Sequence, residues 1–381
     1  MPLTSFSIPR SIIYGEDALA HLSTLQGKRA ALVTGGSSMK RFGFLDEALH
    51  LLNSNNIECI VIDNVEPNPS VDTVWRGAKA MQEFNPDWIV AIGGGSAIDA
   101  AKVMWCFYEH PELTFEDIIP VGSMPPLRNK AHFVAIPSTS GSASEITAFS
   151  VITDTKNHIK YPIVAADLVP DIAILDPKIP AKMPANVTVH TGMDVLTHAL
   201  EAYVSTGASS FTDPYAVEAI RLVLDNLETA YQSPDDLNAR MQMHNASALA
   251  GIAFTNASLG LVHSMAHKIG GEFGITHGLA NAIMLPYIMK YNAKYTDKYQ
   301  KLSALLGVDD IIATIKNLNK RLGIPVTLGA CADTDINEIL FVDVLDRMSE
   351  NAVGDPCTLT NPNYPSVQEV KQLYAVSYYG E

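Results

Sequence analysis

Two pairs of residues that can bind metals or move protons recur in this chain with the spacing of one helical turn. Asp194 and His198 are four residues apart, as are His263 and His267, and both segments have helical periodicity. Residues at positions i and i+4 share one face of a helix. With the further His277, one carboxylate and the imidazoles form a donor set that suits a divalent metal. The pattern favours a metal site over core histidines bonded to the backbone, because unsatisfied imidazoles in apolar surroundings are costly.

Three glycines and a serine, residues 93–96, separate a strand-like apolar run from a helical pattern. Glycines allow the backbone to approach a pyrophosphate closely, and the N–H groups at the start of a helix favour an anion. Three consecutive glycines exceed what a tight turn requires, which favours phosphate binding. Because Ile98 occupies the third glycine position of the GxGxxG pattern, this is not an ordinary dinucleotide fingerprint. Asp99, one turn into the helix, either contacts a cofactor or caps the helix.

A second polar segment, residues 137–145 (PSTSGSASE), follows another predicted strand. Ligands of parallel sheets bind at the carboxyl ends of the strands, where clustered hydroxyls can hydrogen-bond to phosphate and ribose. A loop rich in serine and threonine that caps the next helix explains this segment equally well.

The elements that must position these residues change in character near residue 180. Before it, apolar runs alternate with helical patterns, which predicts a parallel sheet covered on both faces and a doubly wound, Rossmann-like fold. The predicted strands are 29–34, 58–63, 87–92 and 132–136, and the predicted helices are 44–54, 71–84 and 96–107.

The second half of the chain predicts an all-α domain. The proline-rich segment 176–184 suits a linker, and after it long stretches rich in alanine, leucine and methionine have helical spacing. We therefore expect a dinucleotide-binding α/β domain over 1–180 and an all-helical, metal-binding catalytic domain over 181–381.

The composition excludes several classes of protein. The net charge of −15 argues against general nucleic-acid binding, which needs a basic face. The apolar run 246–262 is broken by polar residues and falls short of the ~18 apolar residues of a membrane span, and the N-terminus lacks the pattern of a signal peptide. The four cysteines form no CxxC pair, so we expect a reducing, cytoplasmic location.

Several of these segments together resemble one family. Residues 192–205 (GMDVLTHALEAYVS) and 260–292 (GLVHSMAHKIGGEFGITHGLANAIMLPYIMKYN) are similar to the two signatures of the iron-containing, group III alcohol dehydrogenases. Residues 93–96 and 138–145 are similar to the cofactor motifs of that family, and residues 6–15 (FSIPRSIIYG) resemble its N-terminal hairpin.

The resemblance implies a fold, a reaction and a catalytic residue set. The fold is the dehydroquinate synthase-like architecture, and the reaction is hydride transfer between NAD(P)(H) and a small primary alcohol or aldehyde, assisted by Fe²⁺ or Zn²⁺. Asp194, His198, His263 and His277 stand at the metal-ligand positions, and His267 stands at the position of a proton-relay histidine. A homodimer or larger homo-oligomer is also implied.

The resemblance also implies cofactor and substrate contacts. The cofactor-contact positions are Asn68, Gly94, Gly95, Ser96, Asp99, Ser138, Thr139, Ser142 and Lys160. Phe149, Phe254 and Cys357 stand where the family lines its alcohol pocket. Two phenyl rings predict a narrow slot that prefers unbranched primary alcohols and their aldehydes, although Phe149 fits a plain core position equally well.

The segment after the first strand bears on the choice between NADP(H) and NAD(H). NAD-preferring relatives tend to carry an acid at the position of Gly35, which would bind the ribose 2′-OH. This chain instead offers glycine backbone, two hydroxyls and a lysine, which suit a 2′-phosphate. We therefore expect NADP(H) to be favoured, with contacts from Gly36, Ser37, Ser38 and Lys40.

Two alternatives remain open at this point. A lyase resembling dehydroquinate synthase, which also uses a metal and NAD, would need a basic pocket for a phosphorylated acid. Between Thr188 and Ser264 the only Lys or Arg residues are Arg221 and Arg240, which disfavours that reading. A polyol dehydrogenase that acts on glycerol or propanediol would carry the same metal site.

Overall fold

The first half of the chain folds into a parallel sheet built from the predicted apolar runs. A computed structural model describes residues 5–156, 159–332, 334 and 336–380. The sheet has six strands in the order β1-β8-β5-β4-β2-β3, and each is parallel to its neighbours. They are β1 (Ser11–Tyr14), β2 (Arg29–Gly35), β3 (Glu58–Val65), β4 (Trp88–Gly93), β5 (His132–Pro137) and β8 (Ile172–Leu175).

Helices cover both faces of this sheet, as its continuous apolar strands require. Along β2, Ala31 and Val33 belong to one apolar core, whereas Ala30 and Leu32 belong to the other. The helices are α1 (Ser38–Arg41), α2 (Phe44–Ser54), α3 (Val71–Phe84) and α4 (Gly95–Glu109). Residues of α3 and α4 line the first core, and residues of α2 line the second. The predicted Rossmann-like α/β architecture is confirmed.

Three strands, β6, β7 and β8, were not predicted, and β1 lies in the segment that resembles a hairpin. β6 (Phe149–Asp154) and β7 (Ile159–Val164) form a separate antiparallel pair. β1 and β8 have four residues each, too few for a periodic signal. Residues 6–15 resemble a hairpin, but their strand β1 pairs in parallel with β8 in the part of the chain described.

The second half is helical, as predicted. Its helices are α5 (Ala185–Val204), α6 (Asp213–Gln232), α7 (Leu237–Ala257), α8 (Leu261–Phe273), α9 (His277–Asn292), α10 (Lys298–Leu306), α11 (Ile311–Arg321), α12 (Glu338–Val353) and α13 (Val367–Tyr379). α5 packs against α6 and α9, and α9 also packs against α8. These contacts bring the histidine-rich helices together.

The described chain divides into two compact units. Unit 1 contains the described residues up to Met183 together with Pro234–His244, and unit 2 contains Pro184–Ser233 and the described residues from Asn245 onward. α7 therefore begins in unit 1 and ends in unit 2. The predicted assignment of 1–180 to dinucleotide binding and 181–381 to catalysis stays a prediction.

In the described ranges, no single helix combines the length and apolar character of a membrane span. The pair α7 and α8, bent by 104° at the break between them, meets those two criteria when taken together.

Candidate metal centre and cofactor loops

Three helices of unit 2 bring one carboxylate and three imidazoles around a common point. Asp194 and His198 lie on α5, His263 on α8, and His277 is the first residue of α9. The Nε2 atoms of His277, His263 and His198 lie 3.4, 3.6 and 4.0 Å from Oδ1 of Asp194. Ligand atoms about 2.0–2.2 Å from one metal lie roughly 3–3.5 Å apart. The spacing therefore fits a shared ion, with His198 as the widest member.

Asn281 marks the point on which these donors converge. Its Nδ2 is 2.8 Å from Oδ1 of Asp194, 3.2 Å from Nε2 of His277 and 3.3 Å from Nε2 of His263. Its Oδ1 is buried and has no hydrogen-bond partner in the described part of the chain. A mixed nitrogen and oxygen donor set beside an unsatisfied buried oxygen fits a divalent transition metal.

A glycine allows α9 to approach α5 closely enough to place His277. A Cβ atom on Gly278 would lie 2.0 Å from the carbonyl oxygen of His190, which is on α5. Any side chain at this position would force the two helices apart. In the pair His277-Gly278, the histidine is the candidate metal ligand and the glycine allows the close helix packing.

Burial and neighbouring charges together set the electrostatics of the cluster. Burial opposes ionisation of Asp194, but the imidazoles of His198, His277 and His263 hold its pKa well below its ordinary value. Burial also disfavours the charged form of His263, but Glu201 and Asp194 together raise its pKa to about 9. At His277, burial and the neighbouring imidazoles outweigh Asp194 and lower the pKa to about 3. The cluster thus combines an ionised carboxylate with a neutral imidazole, the forms in which these groups bind a divalent cation.

The second histidine on α8, His267, is held by a carboxylate other than Asp194. Nδ1 of His267 is 3.1 Å from Oδ2 of Asp355, and Nζ of Lys268 donates to the same oxygen at 2.8 Å. The ring of His267 stacks on that of His277 with centroids 5.4 Å apart. Since Nδ1 is engaged by Asp355, Nε2 is the nitrogen left to exchange a proton with a substrate.

The three predicted pocket residues do not all lie in one unit. Phe254, on α7, is buried and stacks on the ring of His198 with centroids 4.4 Å apart. The backbone N–H of Cys357 donates to Oδ1 of Asp355 at 3.0 Å. Phe149 is the first residue of β6 in unit 1, where its carbonyl accepts a hydrogen bond from buried Lys102. The structure therefore places Phe254 beside His198 and Cys357 beside Asp355, the partner of His267, in unit 2.

The glycine turn and the hydroxyl-rich loop of unit 1 meet at the carboxyl ends of neighbouring strands. β4 and β5 pair along their length, and Ser138 N–H donates to the carbonyl of Gly93 at 2.8 Å. A Cβ atom on Gly95 would lie 2.6 Å from Oγ of Ser142, and one on Gly94 would lie 3.8 Å from the Thr139 side chain. A side chain at residue 95 would have to displace the Ser142 hydroxyl.

Three predicted cofactor residues from distant parts of unit 1 also meet. Nζ of Lys160 donates to Oδ1 of Asn68 at 2.8 Å, and the Asn68 N–H lies 3.3 Å from Oγ of Ser96. Asn68 has a φ of 55°, a left-handed conformation that asparagine tolerates. Partial desolvation lowers the pKa of Lys160. This group can present a cation and two polar side chains beside the glycine turn.

Asp99 has a partner other than the glycine turn. It is half-buried on α4, where desolvation raises its pKa, and its Oδ2 accepts from the N–H of Val151 at 3.0 Å. It thus ties α4 to β6. The helix is capped by Gly94 without a side-chain bond, so Asp99 is not the cap, and its contact with a cofactor stays a prediction.

The predicted 2′-phosphate segment is an exposed turn after β2. Gly36 has a φ of 54°, Ser37 and Lys40 are exposed, and Ser38 begins α1. A Cβ atom on Gly35 would lie 2.8 Å from the carbonyl oxygen of Val65 in β3. Any acid at this position would have to displace the neighbouring strand, so packing also explains the glycine.

The structure adds buried polar residues that the sequence motifs did not single out. Glu201 contacts His263, and Asp355 contacts His267. In unit 1, Nδ1 of His244 lies 2.8 Å from Oγ of Ser140, and burial lowers the pKa of His244 to about 4. A usable signal existed only for Glu201, which follows His198 by three residues on the same helix.

Comparison with known proteins agrees with this geometry. The model of the iron-containing alcohol dehydrogenase family matches residues 9–177, and that of the C-terminal part of the Fe-containing alcohol dehydrogenase family matches residues 188–378. The NADPH-dependent butanol dehydrogenase of Clostridium saccharobutylicum is 51% identical over 98% of both chains.

Solved structures give the same result. An iron-containing alcohol dehydrogenase from Thermococcus thioreducens superposes with a TM-score of 0.92 at 38% identity, covering 99% of this chain and 100% of that one. A 1,3-propanediol oxidoreductase superposes with a TM-score of 0.92 at 34% identity and the same coverage. Since the matches span both halves, this chain belongs to the iron-containing alcohol dehydrogenase family.

Proposed function

We propose that this chain uses NADPH to reduce short unbranched aldehydes to primary alcohols, and NADP⁺ for the reverse reaction. The observation that carries the proposal is the convergence of Asp194, His198, His263 and His277 from three helices. The similarity to an NADPH-dependent butanol dehydrogenase supports both the cofactor and the substrate class.

The two parts of the chain have separate tasks in this proposal. Residues 1–180 bind the dinucleotide, and residues 181–381 bind the metal and the substrate. A divalent metal, Fe²⁺ or Zn²⁺, held by the four ligands supplies Lewis-acid polarisation of the substrate oxygen, and the nicotinamide supplies or accepts the hydride.

His267 moves the proton that the reaction requires. Reduction of an aldehyde consumes one hydride and one proton, and oxidation of an alcohol releases them. With Nδ1 held by Asp355 at 3.1 Å, Nε2 of His267 can donate a proton to the substrate oxygen or accept one from it. Lys268 is bonded to the same Asp355 oxygen and offsets part of the carboxylate charge.

Backbone and hydroxyl groups bind the cofactor. The pyrophosphate is held by Gly94, Gly95 and Ser96 at the start of α4 and by Ser138, Thr139 and Ser142. Asn68, Lys160 and Asp99 complete this set. Gly36, Ser37, Ser38 and Lys40 surround the 2′-phosphate, and the positive charge of Lys40 favours NADP(H) over NAD(H).

Phe254 and Cys357 line the substrate slot in this proposal, and the place of Phe149 in the slot stays a prediction. Because Phe254 packs on the ring of His198, the wall beside the proposed metal is apolar. Linear aldehydes should therefore be turned over more efficiently than branched ones. Equal kcat/KM for butanal and 2-methylpropanal would contradict the slot.

We also propose a homodimer or larger homo-oligomer in a reducing, cytoplasmic compartment. The oligomer rests on the family resemblance of the N-terminal segment. The compartment is supported by Cys59, Cys106, Cys331 and Cys357, which are all free thiols. Mass measurement in solution tests the first statement.

A second candidate activity is oxidation of a small polyol. The superposition with a 1,3-propanediol oxidoreductase favours it. A substrate panel that includes butanal, 3-hydroxypropanal and their alcohols separates the two candidates by kcat/KM.

The proposal as a whole is tested by oxidation of NADPH and NADH in the presence of butanal. We expect activity with one divalent ion per chain, loss of activity after chelation, and recovery on addition of Fe²⁺ or Zn²⁺. Turnover by metal-free protein, or equal kcat/KM with NADH and NADPH, would contradict the metal or the cofactor assignment respectively.

A further inference from the structure

Glu201 is a buried carboxylate beside the metal centre that the mechanism does not use. It lies on α5 and is 3% exposed. Its Oε2 is 2.5 Å from Nδ1 of His263, and its Oε1 accepts from the N–H of Val262 at 2.6 Å. A buried carboxylate is stable only where such partners satisfy both oxygens. Both partners of Glu201 come from the first turn of α8.

The contact determines which nitrogen of His263 faces the shared ion. A carboxylate oxygen accepts hydrogen bonds, so Nδ1 of His263 donates to Glu201 and Nε2 is the nitrogen left to bind an ion. Nε2 is the atom that lies 3.6 Å from Oδ1 of Asp194, on the side of the shared ion. A metal-binding histidine whose other N–H is bound by a carboxylate has a fixed tautomer and orientation and is a more basic ligand.

We propose that Glu201 is the positioning residue of the metal centre. It holds His263 with Nε2 toward the ion, and with Asp194 it supplies the two negative charges that balance a divalent cation. This inference rests on the proposed metal-dependent function. Asp355, another buried carboxylate near the site, is already paired with Lys268 at 2.8 Å.

The packing around Glu201 also accommodates its carboxylate at this position. A Cβ atom on Gly260 would lie 2.8 Å from Oε1 of Glu201, so glycine before α8 makes room for the carboxylate. A purely structural role, in which Glu201 only binds the Val262 N–H at the start of α8, would affect stability without affecting metal affinity. The two roles are therefore separable by experiment.

The experiment compares metal affinity in Glu201→Gln, Glu201→Asp and wild-type protein. The Kd for Zn²⁺ and Co²⁺ is measured by chelator competition on metal-free protein, and circular dichroism verifies the fold. Glu201→Gln removes the charge, and we expect its Kd to rise about 10- to 100-fold. Glu201→Asp keeps the charge but shortens the side chain, so its Kd should be intermediate. Glu218→Gln, an exposed glutamate paired with Arg221 on α6, is the matched control and should equal wild type.

A spectroscopic readout separates positioning from stability. The visible absorption of bound Co²⁺ reports ligand geometry, and it should change in Glu201→Gln at saturating metal. A Kd within twofold of wild type with an unchanged Co²⁺ spectrum would overturn the proposal, and if Glu201→Gln does not fold, the same result in Glu201→Asp would do so. Failure of the wild type to bind one ion per chain would instead overturn the proposed function as well.

Discussion

The predicted cofactor loops of unit 1 and the candidate metal centre of unit 2 are built from different kinds of groups. The loops consist of glycine backbone and small hydroxyls, as in the contacts of Gly93, Gly95 and Ser142. The metal centre consists of long side chains from three helices, with Asp194 at its centre. Many equivalent N–H and O–H groups can share the binding of a phosphate. A metal ion, in contrast, is bound by only a few ligands, so the loss of one removes a large part of its binding. We therefore expect single substitutions to have small effects in the loops and large effects at the metal.

The largest effect should come from removing a ligand. His263→Ala deletes Nε2 from the donor set, and we expect loss of bound metal and loss of turnover. The helical fold should persist, because α5, α8 and α9 have their own apolar contacts. Metal content, kcat/KM with butanal and circular dichroism measure the three outcomes.

The matched control for this variant is His50→Ala, at an exposed position of α2. It should keep wild-type metal content and activity. Wild-type activity and metal content in His263→Ala would show that the ion does not need this imidazole, and the comparison between the two regions would fail.

The next largest effect should come from the proton path. His267→Ala removes the imidazole that stacks on His277, but it leaves the three-ligand group of Asp194, His263 and His277 intact. We expect metal content to stay at one ion per chain while kcat falls about 10- to 100-fold, the usual size for groups that support a metal site. Asp355→Asn should lower kcat in the same direction by a smaller factor, because a neutral amide oxygen still accepts from Nδ1. If His267→Ala loses the metal, His267 is a metal ligand and not a proton-transfer residue.

A smaller effect should come from Lys40 in the cofactor region. Hydrogen bonds to charged groups contribute about 1.5–3 kcal/mol, and about 1.4 kcal/mol corresponds to tenfold in affinity. Because Lys40 is exposed, screening reduces its contribution, so Lys40→Ala should lower the NADPH over NADH ratio of kcat/KM by about tenfold. Lys28→Ala, at the opposite end of β2, is the control and should leave the ratio unchanged. If the NADPH over NADH ratio of kcat/KM is unchanged in Lys40→Ala, Lys40 does not bind the 2′-phosphate.

The structure also decides how this specificity should be tested. Gly35→Asp appears attractive from sequence, since an acid there would bind a ribose 2′-OH. Its Cβ would lie 2.8 Å from the Val65 carbonyl, so altered specificity would be mixed with displacement of β3. Substitution of Lys40, which has open surroundings, avoids that ambiguity.

Local patterns predicted the elements well, and long-range contacts were the part that sequence could not supply. The predicted helices 44–54 and 71–84 have the bounds of α2 and α3, because apolar periodicity and flanking turn residues are local properties. The partner of Asp99 was not predictable, because β6 was not recognised as a strand. The contact of Asp355 with His267 was not predictable either, because the two residues are 88 positions apart in the sequence.

The smallest effect should come from a single hydroxyl in the loop after β5. Thr139 is half-buried beside Gly94, and Thr139→Val removes its hydroxyl while keeping its shape. Because Ser138 and Ser142 share the phosphate with Thr139, we expect the loss of one hydroxyl to cost about 0.5–1.5 kcal/mol, below the range for an unshared hydrogen bond to a charged group. The KM for NADPH should therefore rise only about two- to tenfold, with kcat and metal content unchanged. Thr155→Val, at an exposed turn position after β6, is the control. Ser138 and Ser142 still offer hydroxyls to the phosphate in this variant, which is why the loss stays small. A loss of activity as large as that of His263→Ala would show that this loop depends on one residue, as the metal centre does, and would remove the distinction between the two regions.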